Sequence, residues 1–175
     1  MKKAAFWAEQ YQRHIGKMVG ACFRYVADWD LAEDLAQDAF LAAMEKAHTY
    51  HAFGSFEGWL KKIAVNQALM YLRDCPEMVE WDENLHGQEV TEDSDEQDLP
   101  QTKFSQEELL EAIGKLPVKQ RTVFNLYAVE HCPHAEIAKT LGISVANSKV
   151  LLTRARGELQ QRLNALARKK LAVSS

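Results

Sequence analysis

The sequence predicts an all-α protein of two small helical domains joined by an acidic linker. Apolar residues recur at steps of three and four through the first 74 residues and again from residue 105, which is the helical period. No stretch alternates as a half-buried strand would. Residues 75–104 carry ten acidic groups and one basic group, so self-repulsion should keep this stretch extended. We expect domains at 1–76 and 105–168, a linker at 77–104 and a tail at 169–175.

Composition limits the class of protein. With 175 residues and 47% apolar residues, the chain has enough material for a core. No apolar run approaches the ~20 residues of a membrane span, and no signal-peptide core follows the N-terminus. We therefore expect a cytoplasmic protein without membrane insertion. The three cysteines, Cys22, Cys75 and Cys132, are odd in number and widely spaced, so they imply no disulfide framework.

Two helices are expected before residue 46. The first has an apolar face of Trp7, Tyr11, Ile15, Met18, Cys22 and Val26. Asp30 should cap the second helix, with Glu33 at the capping-box position. The second helix should bury Leu31, Leu35, Ala39, Phe40 and Ala43. Its other side carries Asp34, Gln37, Asp38 and Leu41, and the pattern alone allows either a solvated surface or a binding face.

A third helix should begin after a loop at residues 50–55, with Ser55 as its cap. Its inner face would be Leu60, Ile63, Ala64, Ala68 and Leu72. Phe53 in the loop, and Trp59, Lys62 and Asn66 on the helix, are typical of a single-strand binder, in which an aromatic face contributes ~1–3 kcal/mol per base. A core role for Trp59 is the alternative.

The second domain ends in a helix-turn-helix pattern. After a short helix capped by Ser105 and another following Leu116-Pro117, a helix from Pro133 ends at Gly142. Ser144 can cap the longer helix that follows. In that helix we expect a buried stripe of Val145, Leu152, Ala155, Leu159 and Leu163, with donors for phosphates and base edges pointing elsewhere: Asn147, Lys149, Arg154 and Arg156. An αα-hairpin that only packs is the alternative.

Catalytic motifs are not apparent. The sequence has no Gly-rich phosphate loop, no G-x-S-x-G and no H-E-x-x-H. His131, Cys132 and His134 invite a metal, but a zinc site needs a fourth ligand and none stands near them in sequence. We expect no catalytic residue, no metal and no cofactor. A metal- or redox-sensing interaction protein and a stand-alone helix-turn-helix regulator remain as alternative functions.

Three segments resemble the sigma-70 family of bacterial RNA polymerase sigma factors. Residues 32–40 (AEDLAQDAF) are similar to the core-binding signature of region 2, and residues 56–66 (FEGWLKKIAVN) to its promoter-melting helix. Residues 116–156 resemble region 4, including EIA at 136–138, LGIS at 141–144 and RAR at 154–156. With two domains and no region 1.1 or 3, the chain resembles the extracytoplasmic-function (ECF, group 4) class.

The resemblance implies partners and residue roles. It implies a region 2 bundle and a region 4 helix-turn-helix bundle that bind core polymerase (β′ clamp and β flap) and promoter DNA, with an anti-sigma factor as a further partner. The clamp would contact Asp34, Gln37, Asp38 and Leu41. The melted −10 strand would contact Phe53, Trp59, Lys62 and Asn66. The −35 element would contact Ser144, Asn147, Ser148, Lys149, Leu151, Arg154 and Arg156.

The sequence departs from the family pattern in the reading helix. The family usually carries an apolar residue at position 148, and small-then-basic residues at 150 and 151. Here Ser148 would interrupt the buried stripe, while Val150 and Leu151 would face outward. Either the helix is rotated slightly, or −35 readout depends on apolar contact with thymine methyl groups. Arg73-Asp74 also replaces the usual arginine pair at the end of region 2.

Overall fold

The structure, a computed structural model, describes residues 2–51, 54–75 and 103–173. Contacts divide the chain into two compact units, Met1–Met78 and Val79–Ser175. Seven α-helices and no strand occur among the described residues, so the all-α prediction is confirmed. Most of the predicted linker (residues 77–102) lies outside the described residues, and so does Phe53. The predicted domain boundaries remain predictions.

The first unit is a three-helix bundle. Its helices are α1 (Lys2–Val26), α2 (Trp29–Glu45) and α3 (Phe56–Asp74), with a short 3-10 turn at Ala47–Thr49. Each helix packs against the other two. The core includes Met18, Leu35, Phe40, Leu60 and Leu72. Because each helix turns one apolar face inward, the opposite faces of α2 and α3 stay available to partners.

The α2 cap differs from the sequence prediction. Asp28, rather than Asp30, is the N-cap, because Ala27 ends α1 with a positive φ of 54° and Asp28 is extended. The Leu31 amide donates to Asp28 Oδ1 at 3.2 Å. Asp30 therefore lies in the first turn, where its charge favours the helix dipole. Ser55 caps α3 as predicted, accepting from the Gly58 amide at 3.0 Å.

Two polar residues of α1 occupy positions that the apolar pattern did not predict. Gln10 and His14 are buried, whereas Tyr11 and Ile15 are only half-buried. The buried face of α1 is therefore rotated slightly from the predicted stripe. On α2 and α3, Leu31 and Ile63, which were expected on the buried faces, are likewise only half-buried.

The second unit contains four helices. They are α4 (Gln106–Gly114), α5 (Val118–Phe124, continued by a π-helical turn at Asn125–Val129), α6 (His134–Leu141) and α7 (Val145–Val173). Ser105 and Glu108 form a reciprocal capping box on α4. One core cluster joins α4 and α7 with Leu116, which precedes α5: Ala112, Ile113, Leu116, Ala155, Leu159 and Leu163.

The turn between α6 and α7 matches the predicted helix-turn-helix. Gly142 has a left-handed φ of 68°, which glycine adopts without a Cβ clash, and it ends α6. Ser144 then accepts a hydrogen bond from the Asn147 amide at 3.0 Å and caps α7. The two helices pack directly against each other.

The buried face of α7 is wider than predicted. Asn147, Val150 and Leu151, which we expected to point outward, are buried, whereas Val145 is exposed. Aliphatic side chains such as Val150 and Leu151 lower their free energy by leaving water, so the outward prediction was wrong. Ser148 does not interrupt the buried stripe, because it is fully buried within it.

Candidate surfaces for polymerase and DNA

The outer face of α2 combines acidic groups with an uncovered leucine. Asp34, Gln37 and Asp38 are all exposed, and 59% of the Leu41 surface is accessible. Spacings of three and four residues place the four on one side of the helix. An exposed leucine among acids is costly to leave in water. The arrangement suits a partner with basic groups around a small apolar contact.

A cluster of aromatic rings surrounds the start of α3. The ring centroids of Phe56 and Trp59 are 5.5 Å apart, and Tyr50 lies 5.3 Å from Phe56 and 5.4 Å from Trp59. Trp59 is half-buried. Both roles considered for Trp59 are therefore compatible with its position: it packs against two rings and keeps accessible surface. Such a ring can stack on an unpaired base.

Basic and amide side chains follow the aromatic rings along α3. Lys62 and Asn66 are exposed and follow Trp59 by about one and two helical turns. An exposed ammonium group near a stacking surface can hold the phosphates of a single strand. The structure thus brings Trp59, Lys62 and Asn66 to one helix, while Phe53 lies outside the described residues.

An ion-pair centre holds α1 against α3 beside these rings. Lys17 Nζ is 2.8 Å from Glu57 Oε2, and Lys61 Nζ is 3.0 Å from Glu57 Oε1. The hydrogen bonds from Lys17 and Lys61 lower the pKa of Glu57 to about 2. His14 Nδ1 is 4.0 Å from Glu57 Oε2, yet burial lowers the pKa of His14. Sequence reasoning missed this centre because Lys17 and Glu57 lie 40 residues apart in the chain.

The helix-turn-helix carries an unpredicted polar contact. His134 Nδ1 is 2.9 Å from Ser148 Oγ, and the His134 ring stacks on Tyr127 with centroids 4.7 Å apart. The Arg156 guanidinium lies 5.5 Å from the Tyr127 centroid. Burial, together with nearby Lys149 and Arg156, lowers the pKa of His134. A histidine fourteen residues before a serine is the only signal that the sequence offered.

The predicted −35 residues divide into exposed and buried groups. Ser144, Lys149, Arg154 and Arg156 are exposed on α7 or its cap. Asn147, Ser148 and Leu151 are buried and present almost no surface. Our interpretation of these three as DNA contacts is inconsistent with that burial, and Ser148 instead holds α6. The exposed group provides two guanidinium groups and an ammonium group, suitable for phosphates and guanine edges.

The possible metal ligands do not converge. In the parts of the chain that the structure describes, no three His, Cys, Asp or Glu side chains are grouped to hold a metal ion. Cys22 is buried beside the Ala64 carbonyl, and burial raises its pKa to about 12. No helix of the described residues is both long and apolar enough to cross a membrane.

Two family models match this chain, one in each unit. Sigma-70 region 2 matches residues 10–75, and Sigma-70 region 4 matches residues 106–159. The first match spans the α2 face and the aromatic rings, and the second spans the helix-turn-helix. The helical end of α7 and the first turns of α1 lie outside both matches.

Curated relatives agree over nearly the whole chain. The RNA polymerase sigma factor YlaC of Bacillus subtilis (strain 168) is 30% identical over 155 residues, covering 87% of this chain and 89% of the relative. The ECF RNA polymerase sigma factor SigM of the same organism is 30% identical over 162 residues, covering 90% and 93%.

A solved structure gives the same fold. The sigma factor RpoE of Bartonella quintana, crystallised with the anti-sigma factor NepR, aligns with a TM-score of 0.51 at 18% identity, covering 90% of this chain and 96% of that one. From the two region matches and these full-length relatives, the chain belongs to the sigma-70 family of bacterial RNA polymerase sigma factors, in the ECF class.

Proposed function

We propose that this chain binds core RNA polymerase through α2, opens and holds the −10 element at α3, and reads the −35 element with α7. The observation that carries the proposal is the α2 face, where Asp34, Gln37, Asp38 and Leu41 are exposed together. A partner that covered this face would remove the exposed Leu41 side chain from water and could pair with the carboxylates of Asp34 and Asp38. In the proposed complex the β′ clamp covers this face.

The −10 strand would bind at the aromatic rings of α3. Trp59 would stack on an unpaired base, Lys62 would pair with phosphate, and Asn66 would donate to a base edge. Phe53 remains a proposed member of this site on sequence grounds. Stacking on Trp59 does not distinguish one base from another. Promoter choice at −10 would therefore depend on the Asn66 side-chain amide and on the fit of the flipped base.

The −35 element would be contacted by the exposed part of α7. We retain Ser144, Lys149, Arg154 and Arg156, and we reassign Asn147, Ser148 and Leu151 to packing because they are buried. About four phosphate or base contacts support only weak non-specific binding, near 10⁻⁴–10⁻⁶ M. The polymerase must therefore supply the remaining affinity, including a contact of its β flap with this unit.

The negative charge of the linker indicates where it would lie in the complex with polymerase. We infer that residues 77–104, with a net charge of −9 by sequence, follow the polymerase channel in place of nucleic acid. Fully extended, they would reach ~90–100 Å, beyond the roughly 58 Å between the two promoter elements.

An anti-sigma factor would cover the α2 face, the basic face of α7, or both. The chain would be non-enzymatic and cytoplasmic, where its polymerase is.

The test of the proposal is reconstituted transcription. Core polymerase with this protein should start transcripts at promoters that neither component uses alone, when presented with a library of randomised upstream sequences. The starts should share sequence near −10 and −35. A core enzyme whose products are unchanged by this protein would contradict the proposal. The stand-alone regulator leaves the α2 face unexplained and is not favoured by the two region matches.

A further inference from the structure

An exposed aromatic ring lies outside the region 2 match and has no role so far. Phe6, in the second turn of α1, keeps 47% of its surface accessible. Its ring centroid is 5.4 Å from that of Trp7, edge to face, and 6.2 Å from that of Phe56. Trp7 is buried and anchors this turn to the bundle. Phe6 is therefore held in place by two rings while one side remains in solvent.

Phe6 is continuous with the aromatic rings of α3. Phe56, whose centroid is 6.2 Å from that of Phe6, connects Phe6 to Tyr50 and Trp59, whose centroids are 5.3 and 5.5 Å from that of Phe56. The four rings thus form one series that begins beside the 50–55 loop and ends on α1. Single-strand binders use such series because successive bases can each stack on a ring.

The charge beside Phe6 favours a nucleic acid as its occupant. Lys2 and Lys3 are exposed and stand four and three residues before Phe6, on the same side of α1. Glu9, three residues after Phe6, pairs with Arg13 at 2.8 Å, so its charge is partly neutralised. An apolar ring next to two ammonium groups matches an unpaired base with its phosphates.

We infer that Phe6 is a further base-stacking residue, which takes an unpaired base of the melted promoter strand beside the Trp59 site, with Lys2 and Lys3 contacting the adjoining phosphates. This rests on the proposed function of α3 as the −10 site. It extends that site onto α1, beyond the residues that the family model matches.

The lifetime of the open complex tests the inference. With core polymerase saturated by each variant, Phe6→Leu should shorten the lifetime on promoter DNA about fivefold or more, the lower end for loss of one base stack. Phe6→Trp should restore it, because any flat ring can stack. The matched control is Trp29→Leu, which removes a similarly exposed ring (52%) stacked on Phe23, and it should leave the lifetime unchanged.

The partner of Phe6 can be identified directly in the same complex. A photo-crosslinking phenylalanine analogue in place of Phe6 should attach to the non-template strand near the −10 element. Attachment to a polymerase subunit, or equal lifetimes for Phe6→Leu and wild type, would overturn the inference. Because Phe6→Leu keeps an apolar side chain against Trp7, its melting temperature should stay close to that of the wild type.

The same experiment separates this inference from the proposal on which it rests. If Lys62→Ala and Trp59→Leu shorten the lifetime but Phe6→Leu does not, only the role of Phe6 fails. If the wild-type protein forms no open complex with core polymerase, the proposed function fails first.

Discussion

The His134–Ser148 hydrogen bond fixes the reading helix to the helix before it. Both side chains lie at positions where an apolar pair would also fit, since Ser148 is fully buried and His134 stacks on Tyr127. The fully buried Ser148 hydroxyl needs a partner, because a buried polar group without one is costly, and the half-buried His134 ring supplies that partner. This pair explains why the reading helix tolerates a serine where its family usually has an apolar residue.

Removing one member of this pair should be worse than replacing both. His134→Phe should destabilise the second unit by about 1–3 kcal/mol, the cost of leaving the fully buried Ser148 hydroxyl unpaired. The double variant Ser148→Val with His134→Phe should recover most of the loss. Hydrogen exchange of the amides of α6 and α7 measures both effects. Equal protection in the single and double variants would show that the hydrogen bond contributes nothing.

Glu57 gives the first unit a defined response to acid. Its pKa in the folded state is about 2, below the ordinary value of 4.5, so its ion pairs contribute stability that is fully present above about pH 4.5. This stability is lost as the pH falls towards 2, because the unfolded chain takes up the proton first.

Glu57→Gln should therefore lower the stability of the first unit at neutral pH and flatten its decline between about pH 4.5 and pH 2. Urea unfolding followed by tryptophan fluorescence at several pH values is the measurement. Glu9→Gln, which breaks an exposed pair on α1, is the control and should change stability by no more than about 0.5 kcal/mol. If the two variants have the same pH profile, the α1–α3 ion pairs are not the cause.

At the scale of the helix, α2 shows how one element serves two purposes. Its inner face is almost entirely small or aliphatic (Ala32, Leu35, Ala36, Ala39 and Ala43) around Phe40. Alanines let α2 approach α1 and α3 closely without long side chains. The outer face is then free to carry polar groups without loss of packing, so substitutions there should affect binding more than folding.

Asp38→Arg should weaken binding to core polymerase at least tenfold, because it reverses one charge at the centre of the proposed interface. Thermal stability should be nearly unchanged, since Asp38 is exposed. Glu9→Arg makes the same charge change on α1 and should bind normally. Comparable affinities for both variants, measured by titration of labelled core enzyme, would remove α2 from the interface.

The C-terminal end of α7 contacts the residues that lead into α4 and the first turn of α4. Lys170 Nζ contacts Glu108 Oε2 at 2.7 Å and the Lys103 carbonyl at 3.2 Å, and it lies 5.2 Å from the Phe104 ring centroid. Phe104 packs against the core of this unit. The contacts connect the C-terminal turns of α7 with the residues that follow the predicted linker.

Lys170→Met should increase hydrogen exchange at residues 104–109 and lower stability by about 0.2–1 kcal/mol, as expected for a partly exposed ion pair. Lys169→Met, at the exposed neighbouring position, is the control. An exchange increase of the same size in both variants would indicate a general effect of charge on α7 rather than a specific contact.

Local patterns in the sequence predicted the helices, their caps at Ser55, Ser105 and Ser144, and the left-handed turn at Gly142, because each depends on residues within four positions. The Asp28 cap was missed because Asp30 offers an equally good local pattern, and the backbone of Ala27 decides between them. The His134–Ser148 pair and the Glu57 centre depend on contacts between helices, which periodicity does not contain.

The same limit applied to the proposed −35 contacts of α7. Three buried residues, Asn147, Ser148 and Leu151, were placed at the −35 contact because the family pattern and the helical wheel left them outside the apolar stripe. The exposed residues Lys149, Arg154 and Arg156 could be chosen correctly as surface groups by charge alone. Their contact with DNA remains a prediction.

At the scale of the whole molecule, the distribution of charge predicts that the two units depend on polymerase for promoter binding. Residues 105–175 have a net charge of +5 by sequence, residues 75–104 have −9, and residues 1–74 have 0. We expect few cationic contacts with phosphate, and we expect the acidic linker to repel DNA, so the free chain should not bind a duplex strongly. Core enzyme would mask the acidic linker and hold both DNA-binding surfaces at the promoter.

The most direct measurement is binding of the same promoter duplex, in moderate salt, by the free chain and by its complex with core polymerase. We predict that the complex binds at nanomolar concentration and distinguishes the promoter from scrambled sequence. The free chain should bind no tighter than about 10⁻⁶ M, without distinguishing them. Nanomolar, sequence-specific binding by the free chain would contradict the account.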